Sequence, residues 1–186
     1  IKRILNVAFS TELLMIKDYV RSYSDFPKPG IDFKCTASLC QSPQGFSEAN
    51  NFLYDSLLKY CPVDKIVGLD ARGFVFAGVF AHRTRNPLVL ARKKGKLPPP
   101  TKSKEYQLEY NTATLEIKSD AISKEDKVII IDDLMATGGT MNAAIDIVEE
   151  LGGKVIACAC VMDLTFLPGS SIIKNRNIPF YAGAEY

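Results

Sequence analysis

Two adjacent carboxylates and a run of small residues meet in one stretch of this 186-residue chain, IIIDDLMATGGT, at positions 129–140. Asp132 and Asp133 follow three isoleucines, a run typical of a buried strand. A loop of small and hydroxyl-bearing residues comes next. Because ligands of open parallel sheets bind beyond the carboxyl ends of the strands, we expect a binding site here.

The loop has the composition of a phosphate-binding segment. Its glycines let successive backbone N–H groups point at one anion, and the N-terminus of the helix that follows favours negative charge. It contains neither the Gly-Lys-Ser/Thr of a Walker loop nor G-x-G-x-x-G. A simple helix-capping turn would need one acid and no glycine pair. Our hypothesis assigns a phosphate to five residues: Ala136, Thr137, Gly138, Gly139 and Thr140.

The paired carboxylates restrict what else the ligand carries. They would repel a second phosphate but suit neutral donors, such as two ribose hydroxyls, or a shared Mg²⁺. A phosphate at one end and a diol at the other describe a ribose 5-phosphate.

Apolar strands and helices alternate around this motif, which predicts a parallel sheet covered on both faces. The strands are predicted at 65–70, 87–92, 127–133 and 154–164, with a possible fifth at 179–183. Helices are predicted at 11–23, 46–60, 72–83 and 140–153. The alternating TLEIK (114–118) predicts an exposed hairpin or hood strand. We therefore predict one α/β domain over residues 1–186, with 1–40 and the C-terminal end as decoration.

Composition excludes several classes of partner. The net charge of +2 does not indicate a nucleic-acid partner, and no apolar run reaches the ~18 residues of a membrane span. No signal peptide is recognisable. The five cysteines are odd in number and form no CxxC pair, which favours free thiols and a cytoplasmic location.

Two basic motifs follow predicted strand ends. In LDARG (69–73), Arg72 offers a planar fork of donors to phosphate oxygens, unless it is a surface cap of a turn. In RKKGK (92–96), four cations surround one glycine, enough for a pyrophosphate. We select Arg92 and Lys96 from the second motif. A purely solvated run is the alternative.

VIIIDDLMATGGT (128–140) resembles the phosphoribosyl pyrophosphate signature of the type I phosphoribosyltransferases. Five further segments are similar, in the same order, to the members that use adenine: DFPKPGIDFK (25–34), VGLDARGFVFAG (67–78), LARKKGKLPPP (90–100), YQLEYNTATLEI (106–117) and VMDLTFLPG (161–169). Cys35 stands where the family usually has an acid, and LPPP replaces the usual LPG.

The resemblance implies a reaction, a fold and an assembly. Adenine and phosphoribosyl pyrophosphate would give AMP and pyrophosphate, with Mg²⁺ held mainly by substrate oxygens and Asp132 or Asp133 as the candidate protein ligands. The fold would be that of the type I phosphoribosyltransferases, a mostly parallel sheet with a small hood and a mobile lid at 98–118. The protein would be a homodimer.

The resemblance also implies roles for single residues. Arg72 would be catalytic together with two lid residues, Tyr110 closing over the site and Glu109 approaching the purine N7, with Glu105 as the competing acid. A cis peptide at Asp70–Ala71 would turn backbone amides toward the pyrophosphate, so Asp70 and Ala71 would bind it with Arg72, Arg92 and Lys96.

The base would lie between Phe33 and Leu164, with Ile31 and Lys34 beside it. By resemblance, one backbone C=O and one N–H at Phe33–Lys34, on an irregular segment, would match the amino group and N1 of adenine. Core packing of Phe33 is the alternative.

Two other functions remain open. One is a related transferase for another base, such as xanthine or orotate. The other is a non-catalytic regulator that senses the sugar phosphate. The intact Glu109–Tyr110 pair favours an enzyme over a regulator.

Overall fold

The computed structural model of the chain describes residues 15–107 and 112–186. Its strands are β1 Arg21–Ser24, β2 Asp32–Cys35, β3 Lys65–Leu69, β4 Leu88–Lys93, β5 Thr101–Gln107, β6 Thr112–Lys118, β7 Lys127–Met135, β8 Lys154–Asp163 and β9 Phe180–Glu185. The helices are α1 Thr36–Gln41, α2 Pro43–Leu57, α3 Gly73–Thr84, α4 Gly139–Glu150 and α5 Gly169–Asn175, with 3₁₀ turns at Ile16–Tyr19 and Leu58–Tyr60.

Seven of the strands form one mixed, mostly parallel sheet in the order β5-β6-β4-β3-β7-β8-β9. The pairs β3–β4, β3–β7, β7–β8 and β8–β9 are parallel, whereas β4–β6 and β5–β6 are antiparallel. The five predicted parallel strands are all present, so the predicted α/β fold is confirmed. The antiparallel β5–β6 hairpin forms the edge where the hood strand was predicted.

Strand β7, the middle one of the five parallel strands, is buried on both faces because its side chains alternate between two cores. Ile130 packs in one core with Val67 and Val148, while Ile129 and Ile131 pack in the other with Phe76. A strand covered on both faces is expected to be apolar throughout. Asp132 and Asp133 lie on the same strand, just beyond Ile131, the last residue that pairs with β3, and thus near the carboxyl ends of the strands.

The predicted helix at 11–23 is wrong in its described part. Only a 3₁₀ turn forms there, and Arg21–Ser24 then pairs antiparallel with β2. Ile16 and Val20 are buried in the second core, so their spacing correctly predicted that these side chains are buried. Pairing with β2, and not the helical spacing, determines the backbone conformation of Arg21–Ser24.

The strand predicted at 114–118 is present as part of β6, but it is not exposed. Leu115 and Ile117 are fully buried in the first core, since β6 lies between β4 and β5. Among the described helices, none combines the length and the apolar character that a membrane span requires.

Candidate active site

The loop between β7 and α4 places its glycines against neighbouring backbone. Gly138 has φ +82°, a conformation that favours glycine, and a Cβ there would lie 2.8 Å from the Cα of Gly169. A Cβ at Gly139 would lie 2.6 Å from the carbonyl oxygen of Gln107. Both glycines are thus required by close packing. Their approach to a phosphate, which the sequence suggested, stays a prediction.

The two carboxylates that end the isoleucine run have different surroundings. Asp133 is only 3% exposed, and its Oδ2 forms an ion pair with Nε of Arg72 at 2.7 Å and accepts a hydrogen bond from Oγ1 of Thr36 at 2.5 Å. Asp132 is half-buried, and its Oδ1 accepts the backbone N–H of Asp133 at 2.8 Å. Asp133 is therefore an anchor for other segments, whereas Asp132 is the carboxylate with more freedom to meet a ligand.

Burial disfavours the ionised form of Asp132. Desolvation, followed by the neighbouring charge of Asp133, raises the pKa of the Asp132 carboxyl well above its ordinary value of 3.8. An ionised Asp132 is thus costly without a ligand, and donors from a ligand would relieve that cost. Such displaced pKa values are common at functional sites.

The LDARG turn after β3 brings further charges to the same edge. The Asp70–Ala71 peptide is cis, as the resemblance implied. Oδ2 of Asp70 accepts from Nε of Arg92 at 3.2 Å and from the backbone N–H of Lys93 at 3.3 Å. Arg72 is paired with Asp133, yet about half of its side chain (49%) stays exposed. The structure thus brings Asp70, Arg72 and Arg92 to one end of the sheet.

The basic loop after β4 is held by Glu116, a residue that the sequence reading missed. Glu116 is 5% exposed, and its Oε1 accepts the backbone N–H groups of Gly95, Lys96 and Leu97 at 3.0–3.1 Å. A lone acid between two apolar residues of a strand was the available signal. It was overlooked because the strand was expected to be exposed. Glu116 therefore fixes the backbone that carries Lys96.

The predicted base-binding residues lie on the β1–β2 hairpin. Phe33 is half-buried and packs edge-on against Phe26, with ring centroids 5.2 Å apart, and belongs to neither core. Nζ of Lys34 donates to Oγ of Ser22 and Oδ2 of Asp32, both at 2.8 Å. The prediction of an irregular segment is wrong for residues 32–35, because β1 pairs with them along their length.

Of the remaining base-binding predictions, Leu164 lies at the carboxyl end of a strand, whereas Ile31 lies just before β2. Leu164 follows β8 and donates its backbone N–H to the carbonyl of Met135 at 2.9 Å, which places it beside residues 136–140, here called the phosphate loop after the role predicted from the sequence. Ile31 is half-buried, and its carbonyl accepts the N–H of Phe26 at 3.2 Å.

The lid prediction is described only in part. Glu109 and Tyr110 lie outside the described residues. The flanking strands pair from Thr101 with Lys118 to Gln107 with Thr112, and Glu105 is exposed on β5. Ion pairs attach β5 to α4, with Nζ of Lys102 and Nζ of Lys104 at 2.7 and 3.0 Å from the carboxylate of Glu150.

Asp132→Asn tests the separation of roles between the two acids. Because the pKa of Asp132 is raised by folding, the folded state binds its proton more tightly, and stability falls as pH rises above 3.8. An amide that keeps the hydrogen bond from Asp133 avoids this loss. We expect Asp132→Asn to be at least as stable as the unmodified protein in urea unfolding at pH 7, with the difference shrinking toward pH 4.

Asp133→Asn is the matched comparison. It weakens the bonds to Arg72 and Thr36 and should lower the free energy of unfolding by about 1.5–3 kcal/mol. An Asp132→Asn variant that loses as much stability as Asp133→Asn at pH 7 would contradict the assignment.

Residues 38–165 match the phosphoribosyl transferase domain. The adenine phosphoribosyltransferase of Jannaschia sp. (strain CCS1) is 43% identical over 171 residues, 92% of this chain and 95% of that protein. That of Butyrivibrio fibrisolvens is 45% identical over 159 residues, 86% of this chain and 88% of the relative.

Solved structures agree with these sequence relatives. The adenine phosphoribosyltransferase of Thermoanaerobacter pseudethanolicus is 38% identical with a TM-score of 0.85, covering 92% of this chain and 98% of that one. The enzyme of Saccharomyces cerevisiae is 34% identical with a TM-score of 0.80, covering 90% and 95%. With matches of this extent in both sequence and structure, the chain belongs to the phosphoribosyltransferase family, among the adenine phosphoribosyltransferases.

Proposed function

We propose that this chain transfers the phosphoribosyl group of phosphoribosyl pyrophosphate to adenine, which yields AMP and pyrophosphate. One observation carries the proposal: the glycine loop, the paired acids, the cationic turn and Leu164 converge at the carboxyl ends of the sheet strands. The Saccharomyces cerevisiae relative was crystallised with adenine and a bisphosphate ligand. The Trypanosoma brucei relative was crystallised with AMP, pyrophosphate and ribose-5-phosphate.

The sugar phosphate is assigned to the end of β7. The 5-phosphate would accept backbone N–H groups of residues 136–140, at the positive end of α4. Asp132 would accept hydrogen bonds from the ribose hydroxyls, since it is less engaged than Asp133. This arrangement would orient the anomeric carbon toward the β1–β2 hairpin, here called the base hairpin.

The pyrophosphate is assigned to the cationic turns after β3 and β4. Arg72 and Arg92 are held in place by Asp133 and Asp70, so they need little rearrangement to meet an anion. Lys96 lies on the loop that Glu116 fixes. Displacement at an anomeric carbon passes through an oxocarbenium-like state, so the protein would act chiefly by positioning and by stabilising the leaving group.

The donor set at this edge fits Mg²⁺, which prefers oxygen ligands and commonly combines one or two carboxylates with substrate phosphates. Asp132 and Asp133 offer such oxygens. Within residues 15–107 and 112–186, no group of three or more His, Cys, Asp or Glu could hold a metal. We therefore assign the ion mainly to substrate oxygens, where it would neutralise charge on the leaving pyrophosphate.

The base is assigned to the space between the β1–β2 hairpin and Leu164. Phe33 would stack on the purine and Leu164 would cover its other face. Backbone groups at Phe33–Lys34 would read the amino group and N1, with Ile31 beside them. The side chain of Lys34 is occupied by Ser22 and Asp32, which leaves recognition to the backbone.

A homodimer is part of the proposal. Leu88 and Leu90 on β4 are each 38% exposed, and apolar side chains grouped on a surface favour an interface with a partner of the same kind. Sedimentation of the purified protein at twice the chain mass would support this assembly.

Base preference tests the proposed function directly. Hypoxanthine carries a carbonyl and an N1–H where adenine carries an amino group and a bare N1, so both hydrogen bonds would be mismatched. That should cost on the order of 3–6 kcal/mol, or about 10²–10⁴ in kcat/KM. We expect AMP to form only with adenine, phosphoribosyl pyrophosphate and Mg²⁺ together, and Lys34→Ala to keep the preference.

Assays with xanthine, orotate and hypoxanthine serve as controls. A comparable kcat/KM for any of them would refute the assignment to adenine. No turnover with any base would instead favour a sugar-phosphate sensor.

Gly139→Val tests the phosphate loop. The first carbon of the new side chain would lie 2.6 Å from the carbonyl of Gln107, so either the loop or β5 must move. We expect AMP binding, measured by calorimetry, to fall below detection in a folded variant. Ser47→Val places the same group at an exposed helical position and should bind AMP normally. Unchanged affinity in Gly139→Val would remove this role.

Glu109→Gln tests the lid residue that the resemblance selects. If the carboxylate assists proton movement on the base, the change should lower kcat more than it weakens binding of phosphoribosyl pyrophosphate. Glu105→Gln, at the competing acid on β5, is the control and should retain kcat. The opposite pattern in the two variants would transfer the role to Glu105.

A further inference from the structure

Residues 164–169, here called the strap, join β8 to α5 and contact the phosphate loop at both of their ends. At the first end, the backbone N–H of Leu164 donates to the carbonyl of Met135 at 2.9 Å. At the last, the N–H of Gly169 donates to the carbonyl of Ala136 at 3.1 Å. The strap is thus hydrogen-bonded to two consecutive carbonyls where the phosphate loop begins.

The contact at Gly169 leaves no room for a side chain. A Cβ there would lie 2.3 Å from the carbonyl oxygen of Ala136, 2.7 Å from Sδ of Met135 and 2.9 Å from the backbone nitrogen of Gly138. Gly169 is itself buried, at the first position of α5. Because two of these three atoms belong to backbone, an added methyl group must displace either the strap or the loop.

The other side of the strap is tied to the base hairpin through Tyr186. The backbone N–H and Oγ1 of Thr165 both donate to the carbonyl of Tyr186, at 2.9 and 2.7 Å. The N–H of Tyr186 donates to the carbonyl of Asp163 at 2.9 Å. Nζ of Lys34, on β2, lies 4.6 Å from the centre of the Tyr186 ring. A continuous set of contacts therefore runs from the phosphate loop to the base hairpin.

We propose that the strap is a positioning element that sets the spacing between the base subsite and the phosphate loop, with Gly169 as its critical position. This rests on the proposed function, in which one nucleotide spans both subsites. A displacement of about 1 Å between reacting groups can cost about 10²-fold in rate. A strap bonded to both subsites holds the purine nitrogen and the anomeric carbon in register.

Gly169→Ala is the test, with Ser171→Thr as the control. The control adds one methyl group at an exposed position of the same helix. Two quantities are measured in each variant: the Kd of phosphoribosyl pyrophosphate with Mg²⁺ in the absence of base, and the KM for adenine at saturating sugar phosphate. We expect both to rise at least tenfold in Gly169→Ala, with a larger fall in kcat, and neither to change in Ser171→Thr.

Each outcome decides the matter. A rise in one quantity alone would show that the strap serves one subsite and does not couple the two. No change in either would remove the role of Gly169. If thermal melting shows Gly169→Ala to be unfolded, Thr165→Val replaces it, since it removes only the hydroxyl bond to Tyr186. It should raise both quantities at least twofold, and a rise for adenine alone would overturn the proposal.

Failure of the strap proposal can be distinguished from failure of the proposed function. An unmodified protein without AMP synthesis would defeat the function itself. An active unmodified protein with unaltered Gly169→Ala or Thr165→Val parameters would defeat the strap alone.

Discussion

The carboxylate of Asp133 is the contact on which the geometry of the site depends. A buried charge is costly unless it is paired and hydrogen-bonded, and Asp133 meets that condition through Arg72 and Thr36. Arg72 follows β3, and Thr36 follows the base hairpin at the start of α1. One acid at the end of the central strand thus fixes both the cationic turn and the segment that leads out of the base hairpin.

Around that contact, glycines let separate segments approach backbone to backbone. A Cβ at Gly73 would lie 2.7 Å from Oδ1 of Asp132, which brings the start of α3 onto that acid. Gly169 brings the strap onto the phosphate loop, and Gly139 brings α4 onto the end of β5. Backbone atoms lack rotamer freedom, so a site bounded by them changes shape less easily than one bounded by long side chains.

The sequence predicted the parallel strands well because burial on both faces leaves an unbroken apolar run, as at 128–131. It predicted less well where pairing partners decide the outcome. Val20 is buried whether it lies on a helix or beside a strand, so its spacing could not distinguish the two. The role of Glu116 depends on the tertiary fold, because only there does the backbone of the basic loop reach its carboxylate.

The two aspartates show, within a single site, the same limit on what a sequence can predict. Neighbouring residues of a strand point to opposite faces, so Asp132 and Asp133 were bound to meet different surroundings. Their order along the chain does not reveal which of them would be paired. The partners of Asp133 are distant in sequence: Arg72 is 61 positions away and Thr36 is 97 positions away. Only the tertiary fold brings them to Asp133.

The cations of the site are already partly neutralised, and this shapes how an anion could bind. Arg72 is paired with Asp133, and Arg92 with Asp70. Each arginine is thereby held in orientation, but a carboxylate offsets its positive charge. Fixed donors stabilise developing charge without reorganisation. A pyrophosphate with several negative charges nevertheless needs more positive charge than such pairs provide. A divalent cation bound to the substrate would supply this additional positive charge. The contribution of the protein would then be chiefly to hold its charged groups in position.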